Sequence, residues 1–274
     1  MGIIWGAFSA VHPHKRQFSL EDKTISYKLK EDTIPFWAAI VLCGVGSVVF
    51  IALFPAFRAF EWPNQSSLKK KKGMAWFARE FHIGLLGLAM AIVLTLMITD
   101  MVKNVAGRHR PDFLARCKPK SGSADPEWGL SDDSVCTQTD MSLMRDGMRS
   151  FPSGHTSFSF STMVYLTFYF AGHFKLYHTS SRAIKAFSIF FPLLLAMYIG
   201  VSRTNDNRHH WQDVLGGALL GTFFGWFSYR LYYPDLMSDD VGTPYDITRE
   251  AKLPSRNTPQ TDSRGNQIGP YPGV

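Results

Sequence analysis

The long apolar runs of this sequence have no amphipathic partner segments to cover them. That absence excludes reading them as the buried helices of a soluble protein, because such helices need neighbours with one apolar face. Acidic residues are also few, 22 Asp and Glu against 29 Lys and Arg, which gives a formal charge of +7. A basic balance suits nucleic acid, anionic lipid or phosphate-bearing ligands. Nucleic acid is set aside, since the most basic run, Lys69 to Lys72, sits between two apolar segments and reads as a topology signal. Cysteine is sparse: Cys43 lies inside an apolar run, whereas Cys117 and Cys136 share one polar loop. Those two can pair if the loop faces an oxidising compartment. No basic stretch precedes the apolar start MGIIWGAFSAV, so it lacks the form of a signal peptide.

What is present is two populations hidden under a mean hydropathy of -0.05, lipid-like segments and polar loops. A membrane-crossing helix needs about 20 mainly apolar residues. Five stretches are read as full spans: Ile34–Phe57, Phe81–Met101, Thr156–Gly172, Ala186–Val201 and Val214–Tyr232. Aromatic residues gather near their ends, among them Trp37, Trp76, Phe77 and Trp211, as interfacial anchors do. Met1–Val11 is about half a span; it is either the shortened remnant of a first span or a short interfacial anchor. The expected fold is therefore all-α, a multi-pass transmembrane helical bundle of five full spans plus a truncated first one. The expected division is 1–33 for that remnant and an extracytoplasmic linker, 34–233 for the membrane domain, and 234–274 for a disordered cytoplasmic tail rich in Pro, Gly, Ser and Asp.

The loops give an orientation. Arg58–Arg79 and His173–Lys185 are basic with a single acid between them, so both are expected in the cytoplasm. Residues 112–150 and 203–212 then face the lumen or exterior, and a Cys117–Cys136 disulfide becomes the favoured state. The sequon at Asn64 lies on the cytoplasmic side and is expected to be unused.

Ionisable residues at membrane depth are costly and are functional candidates by default. Here they form three clusters at span ends. Lys103 to Pro111 leaves the second span, Phe151 to His155 enters the third, and Ser202 to Asp213 links the fourth to the fifth. Crossing counts place all three on one face of the membrane. Lys103 and Arg110 are seven residues apart and share a face if the helix persists to Pro111. Ser153 is a suitable N-cap for the next helix, whose first N–H groups make an anion site, and Gly154 allows close backbone approach. His209 and Asp213, four apart, would sit on one helical face, where a carboxylate fixes an imidazole tautomer. Arg203 offers a forked donor for phosphoryl oxygens. Read singly, each cluster is also compatible with a snorkelling cation, a plain helix cap or an interfacial His–Asp pair.

At these residues the chain resembles the type 2 phosphatidic acid phosphatase superfamily, the lipid phosphate phosphatases. The pattern K-x6-R-P is met by Lys103, Arg110 and Pro111, P-S-G-H by Pro152 to His155, and S-R-x5-H-x3-D by Ser202, Arg203, His209 and Asp213. The stretches Arg16–Asp22 and Arg110–Leu114 resemble the fungal diacylglycerol pyrophosphate phosphatase branch. The resemblance covers roughly residues 12–233 and implies an acid phosphatase/vanadium haloperoxidase-like core. It further implies that His209 is the nucleophile and forms a phosphohistidine, that Asp213 orients it, and that His155 is the acid and then the base. Lys103, Arg110, Ser153, Gly154 and Arg203 would hold phosphoryl oxygens, with no metal and no other cofactor. Arg108, His109, Arg208 and His210 flank these positions and are assigned headgroup contact at most.

The resemblance implies hydrolysis of lipid phosphate monoesters and pyrophosphates, such as diacylglycerol pyrophosphate and phosphatidate. Alternatives are an isoprenoid diphosphate or sphingoid phosphate phosphatase, or a non-catalytic membrane scaffold. Expected partners are a lipid phosphate substrate and membrane lipids, with no nucleic acid and no obligate protein partner. The site is expected to be lumenal or extracytoplasmic, in a vacuolar, Golgi, endoplasmic reticulum or plasma membrane.

Overall fold

A computed structural model describes residues 12–61, 74–177 and 182–247, with a two-residue pairing of Gln260–Thr261 and Gln267–Ile268 beyond them. Met1–Val11, the Lys69–Lys72 run and Asn64 lie outside the described residues.

The first long helix starts directly after Pro35, whose fixed φ suits a helix entry. It runs from α1 (Phe36–Ala39) through a π-helical stretch (Ile40–Val45) into α2 (Gly46–Glu61). Cys43, in the wide turn, is buried, and its carbonyl accepts the Ser47 hydroxyl at 2.6 Å. Helix α3 (Met74–Ala106) has 33 residues. The loop after it holds the short helices α4 (Phe113–Cys117) and α5 (Met141–Gly147). Cys117 and Cys136 are bonded as a disulfide within this loop. Three long helices complete the bundle: α6 (Gly154–His173), α7 (Arg182–Asn205) and α8 (Trp211–Tyr232).

By length and composition, three helical stretches are apolar enough to cross a membrane: Phe36–Ala56, Trp76–Ala106 and Lys185–Asn205. The other two expected spans form helices of spanning length, α6 and α8, but fall outside that set. The reason lies in packing. Helix α6 is the centre of the bundle, packed against α3, α7 and α8, so hydroxyls can be hidden in it that a lipid-facing helix could not carry. Its buried positions include Ser157, Ser161 and Thr162, and the last two bond back to main-chain carbonyls.

One close approach fixes α8 against α6. Gly217, Gly221 and Gly225 recur every four residues on α8 and are buried. A Cβ on Gly217 would stand 2.6 Å from the Ser153 carbonyl, and one on Gly225 2.6 Å from that of Ser161; Gly221 meets the Ser157 carbonyl in the same way. Small residues at this spacing let helix backbones touch, a known mode of association in apolar surroundings. The consequence is positional: the start of α8 is held against the start of α6, where two of the three polar clusters lie.

The segment 12–33 crosses the same end of the bundle as a strap. His14 N–H donates to the Asn104 carbonyl at 2.8 Å, Phe18 pairs with Ser131, and Tyr27 N–H donates to Pro111 at 2.9 Å. With Phe113, Met144 and Met148, Phe18 and Ile25 build a small second core over the loop helices. At the opposite end the chain does not become free after α8. Val241 is buried and Gly242 packs on Gly172, while Asp246 pairs with Arg79 at 3.0 Å, so an ordered turn precedes the rest of the tail.

Candidate active site

The three polar clusters meet. Ser153 N–H donates to the Asp213 carbonyl at 2.9 Å, His209 Nδ1 lies 2.7 Å from the Ser150 carbonyl, and Lys103 Nζ donates to the Arg149 carbonyl at 2.9 Å. Each contact joins two of the segments that the sequence places on one side.

The local geometry differs from the helical reading in three places. Helix α3 ends at Ala106, before Pro111, because Gly107 takes a left-handed turn with φ 55°. A side chain there would run into the His14 carbonyl of the strap. Arg110 therefore reaches the site from a loop, its N–H tied to the Gly147 carbonyl at 2.8 Å, rather than from a shared helical face with Lys103. Second, Ser153 stands at the N-cap of α6, but its side chain caps no backbone N–H and accepts the Thr156 hydroxyl at 2.9 Å.

Third, His209 precedes α8, which begins at Trp211 with His210 as its N-cap. The four-residue helical spacing to Asp213 thus does not apply, and the carboxylate stands 3.9 Å from His209 Nδ1, too far for a hydrogen bond. A carbonyl can only accept, so the Ser150 contact places the proton of His209 on Nδ1 and leaves the Nε2 lone pair available. Asp213, fully buried, accepts instead from the Ser150 hydroxyl at 2.6 Å, the His210 N–H at 2.9 Å and Arg108 at 2.9 Å. It locks the frame that holds His209.

The cations around this imidazole are buried or half-buried and incompletely matched. Lys103 is 8% exposed, and the only hydrogen bond of its ammonium among the described residues is to a carbonyl. Arg110 is held by Asp146 at 2.6 Å, while its Nε has no partner; the Arg149 Nε and the His155 Nε2 have none either. Each unpartnered buried donor costs about 1–3 kcal/mol unless an acceptor meets it. Burial, then Arg110 and Lys103, then His155 hold the His209 imidazole well below its ordinary pKa, so it is neutral. Gly154 brings the α6 backbone close to Lys103, whose Cε would stand 3.5 Å from an added Cβ. An anion with several oxygens fits this set of donors at a helix N-terminus.

Arg203 is 1% exposed and arrives already paired, with Asp206 at 2.7 Å and Asp32 at 3.2 Å. Asp32 belongs to the strap and also binds Arg208 at 2.8 Å. Sequence reasoning missed Asp32, Asp146 and Ser150. None carries a motif signal, because each acts through contacts between distant segments. It also left Arg108 and His210 without an inner role, whereas both touch Asp213. Among the described residues no group of three or more His, Cys, Asp or Glu could hold a metal ion.

Comparison with known proteins agrees with the motifs. Residues 84–236 match the family described as the PAP2 superfamily. A protein of Schizosaccharomyces pombe named "Probable diacylglycerol pyrophosphate phosphatase 1" is 34% identical over 82% of this chain and 74% of its own length. Lipid phosphate phosphatase 1 of Arabidopsis thaliana is 32% identical over 88% of this chain and 66% of its own length. Diacylglycerol pyrophosphate phosphatase 1 of Saccharomyces cerevisiae is 39% identical over 66% of this chain and 64% of its own length. The chain thus spans about two thirds to three quarters of these relatives. No solved structure matches it significantly. With a family match over more than half its length and the three signature clusters drawn into one site, the chain belongs to the PAP2 superfamily.

Proposed function

We propose that this chain is an integral membrane hydrolase that removes the terminal phosphate of lipid phosphate monoesters and pyrophosphates through a phosphohistidine. The observation that carries the reading is the neutral His209, its Nδ1–H fixed by the Ser150 carbonyl, beside the buried Lys103 and the half-buried, incompletely partnered Arg110 and His155. The relatives' names direct it to lipids, and to diacylglycerol pyrophosphate and phosphatidate among them.

In the first step His209 Nε2 attacks phosphorus while the bond from phosphorus to the leaving oxygen breaks. His155, protonated once the phosphate anion offsets the charge of Arg203, Arg110 and Lys103 around it, gives its proton to that oxygen, so a diacylglycerol or phosphatidate leaves. In the second, water attacks the phosphohistidine, His155 takes the water proton, the P–N bond breaks and orthophosphate departs. Lys103, Arg110, Arg203 and the first N–H groups of α6, from Gly154 on, stabilise charge on the phosphoryl oxygens, which is most of what phosphoryl transfer requires. The Ser153 N–H is held by the Asp213 carbonyl, so Ser153 would contribute through its hydroxyl. Asp213 acts as a positioning residue through Ser150 and the His210 main chain.

Five spans fit this reading, with α6 crossing as the inner helix and α8 packed on it through its glycine face while Leu219, Phe223 and Trp226 point outward. The site then faces the lumen or exterior, which the Cys117–Cys136 disulfide beside it supports. The test is phosphate release by purified full-length protein from a panel of diacylglycerol pyrophosphate, phosphatidate, isoprenoid diphosphate and sphingoid phosphate, with a chelator present. Release from the first two, undiminished by chelation, is expected. Release from the isoprenoid or sphingoid substrates alone, or none without added metal, counts against the reading.

A further inference from the structure

A cavity of about 360 Å³ lies between the strap and the start of α8. Its wall includes Arg16, Asp22, Thr24, Arg108, His109 and His210. None of these is a signature position, and the hydrolysis described above uses none of the strap residues among them.

The hydrogen bonds of this wall are unevenly spent. Asp22 is satisfied locally, its Oδ1 accepting the Thr24 N–H at 2.8 Å and the Thr24 hydroxyl at 2.7 Å. His210 Nε2 faces the Thr24 carbonyl at 3.2 Å. Arg16 is exposed and makes no hydrogen bond or ion pair among the described residues. Arg108 gives Nη1 to Asp213 at 2.9 Å, but its Nη2 has only a long contact of 3.4 Å with Gln212. His109 is 7% exposed, wedged between Phe18 and Phe113, and its Nε2 has no partner. Two guanidiniums with unspent N–H groups in one wall are a donor set for an oxyanion, since phosphate takes a fork from arginine.

We propose that this cavity is an accessory site for a phosphate-class anion, bound by Arg16 and Arg108, with His109 in the wall behind them. Two sources share that chemistry: the orthophosphate that hydrolysis would release, and the phosphodiester headgroup of an anionic lipid at the interface. Because Arg108 also holds Asp213, an anion here draws on a guanidinium that the active site uses, and its occupancy lowers turnover. The binding itself does not depend on the chain being a hydrolase.

The experiment is a calorimetric titration of the detergent-solubilised full chain in a Lys103→Ala background, which removes one of the three cations that hold phosphate at His209. One arm titrates inorganic phosphate and the other a short-chain phosphatidylglycerol. Binding that weakens roughly tenfold or more with Arg16→Ala, and recovers in Arg16→Lys, is expected in at least one arm, since one charge-assisted hydrogen bond is lost. Confinement to the first arm identifies free phosphate as the ligand, and confinement to the second identifies a lipid headgroup. Arg16 is exposed, and the Arg16→Lys recovery separates lost binding from lost folding. Titrations of Arg16→Ala that match its parent in both arms, or no binding in either, overturn the proposal. Arg16-dependent binding in a chain that hydrolyses no lipid would leave this site standing and remove the function proposed above.

Discussion

The carbonyl of Ser150 takes the Nδ1–H of His209 at 2.7 Å, while the hydroxyl of the same serine donates to Asp213 at 2.6 Å. One residue therefore both sets the tautomer of the proposed nucleophile and ties it to the buried carboxylate. The arrangement divides the two duties that a carboxylate alone usually performs for a histidine.

Replacing Ser150 by Ala separates them. The carbonyl stays, so His209 keeps its tautomer, but Asp213 loses its shortest hydrogen bond. The expected outcome is a fall in kcat of about tenfold with KM little changed, as one buried hydrogen bond to a charged group is lost. Asp213→Asn should cost more, because Arg108 then loses its carboxylate as well. Steady-state kinetics on a soluble short-chain substrate read both; a change confined to KM would contradict the positioning role.

The glycine stripe on α8 gives a second expectation. Gly221→Val forces a side chain against the Ser157 carbonyl and the Phe160 Cβ, so the two backbones must part. Overpacking of this kind costs about 1–3 kcal/mol, and it moves the head of α8 away from α6. Both thermal stability and kcat should fall together. The same change at Gly216, whose neighbour is the far end of the Phe151 ring, should be milder.

Stability should also depend on pH in a definite direction. His109 is held down to about 4, by burial and then by Arg16, and His209 well below its ordinary value. The unfolded chain protonates these rings near 6.5, so between there and the folded values it binds more protons than the folded one. Stability from these rings is complete above about 6.5 and is lost progressively as pH falls toward about 4. A melting temperature measured across that range should decline toward acid, and less steeply in His109→Gln. An identical slope in that variant would show that His109 does not titrate differently on unfolding.

How much of this was legible beforehand depends on the range of the interaction. Lys103, Arg110, His155, Arg203, His209 and Asp213 announce themselves because ionisable groups at span ends are rare, and crossing counts alone put them on one side. The helical spacings misled at Arg110 and His209, since Gly107 ends α3 early and His210 starts α8 late. A single left-handed glycine and a single N-cap decide both, and neither changes the apolar pattern. Helices α6 and α8 are less apolar than the other long helices because α6 hides hydroxyls among its neighbours and α8 carries glycines where it meets α6. Asp32, Asp146 and Ser150 were not visible at all: each matters only for what folding brings beside it.

The central claim is that phosphorus becomes bonded to His209. Brief reaction with diacylglycerol pyrophosphate carrying a radiolabelled terminal phosphate, followed by an alkaline quench and peptide mapping, reads it directly. The account predicts an acid-labile, alkali-stable label on the peptide holding His209, absent from His209→Ala together with turnover. Label on another residue, or undiminished turnover in His209→Ala, would contradict it.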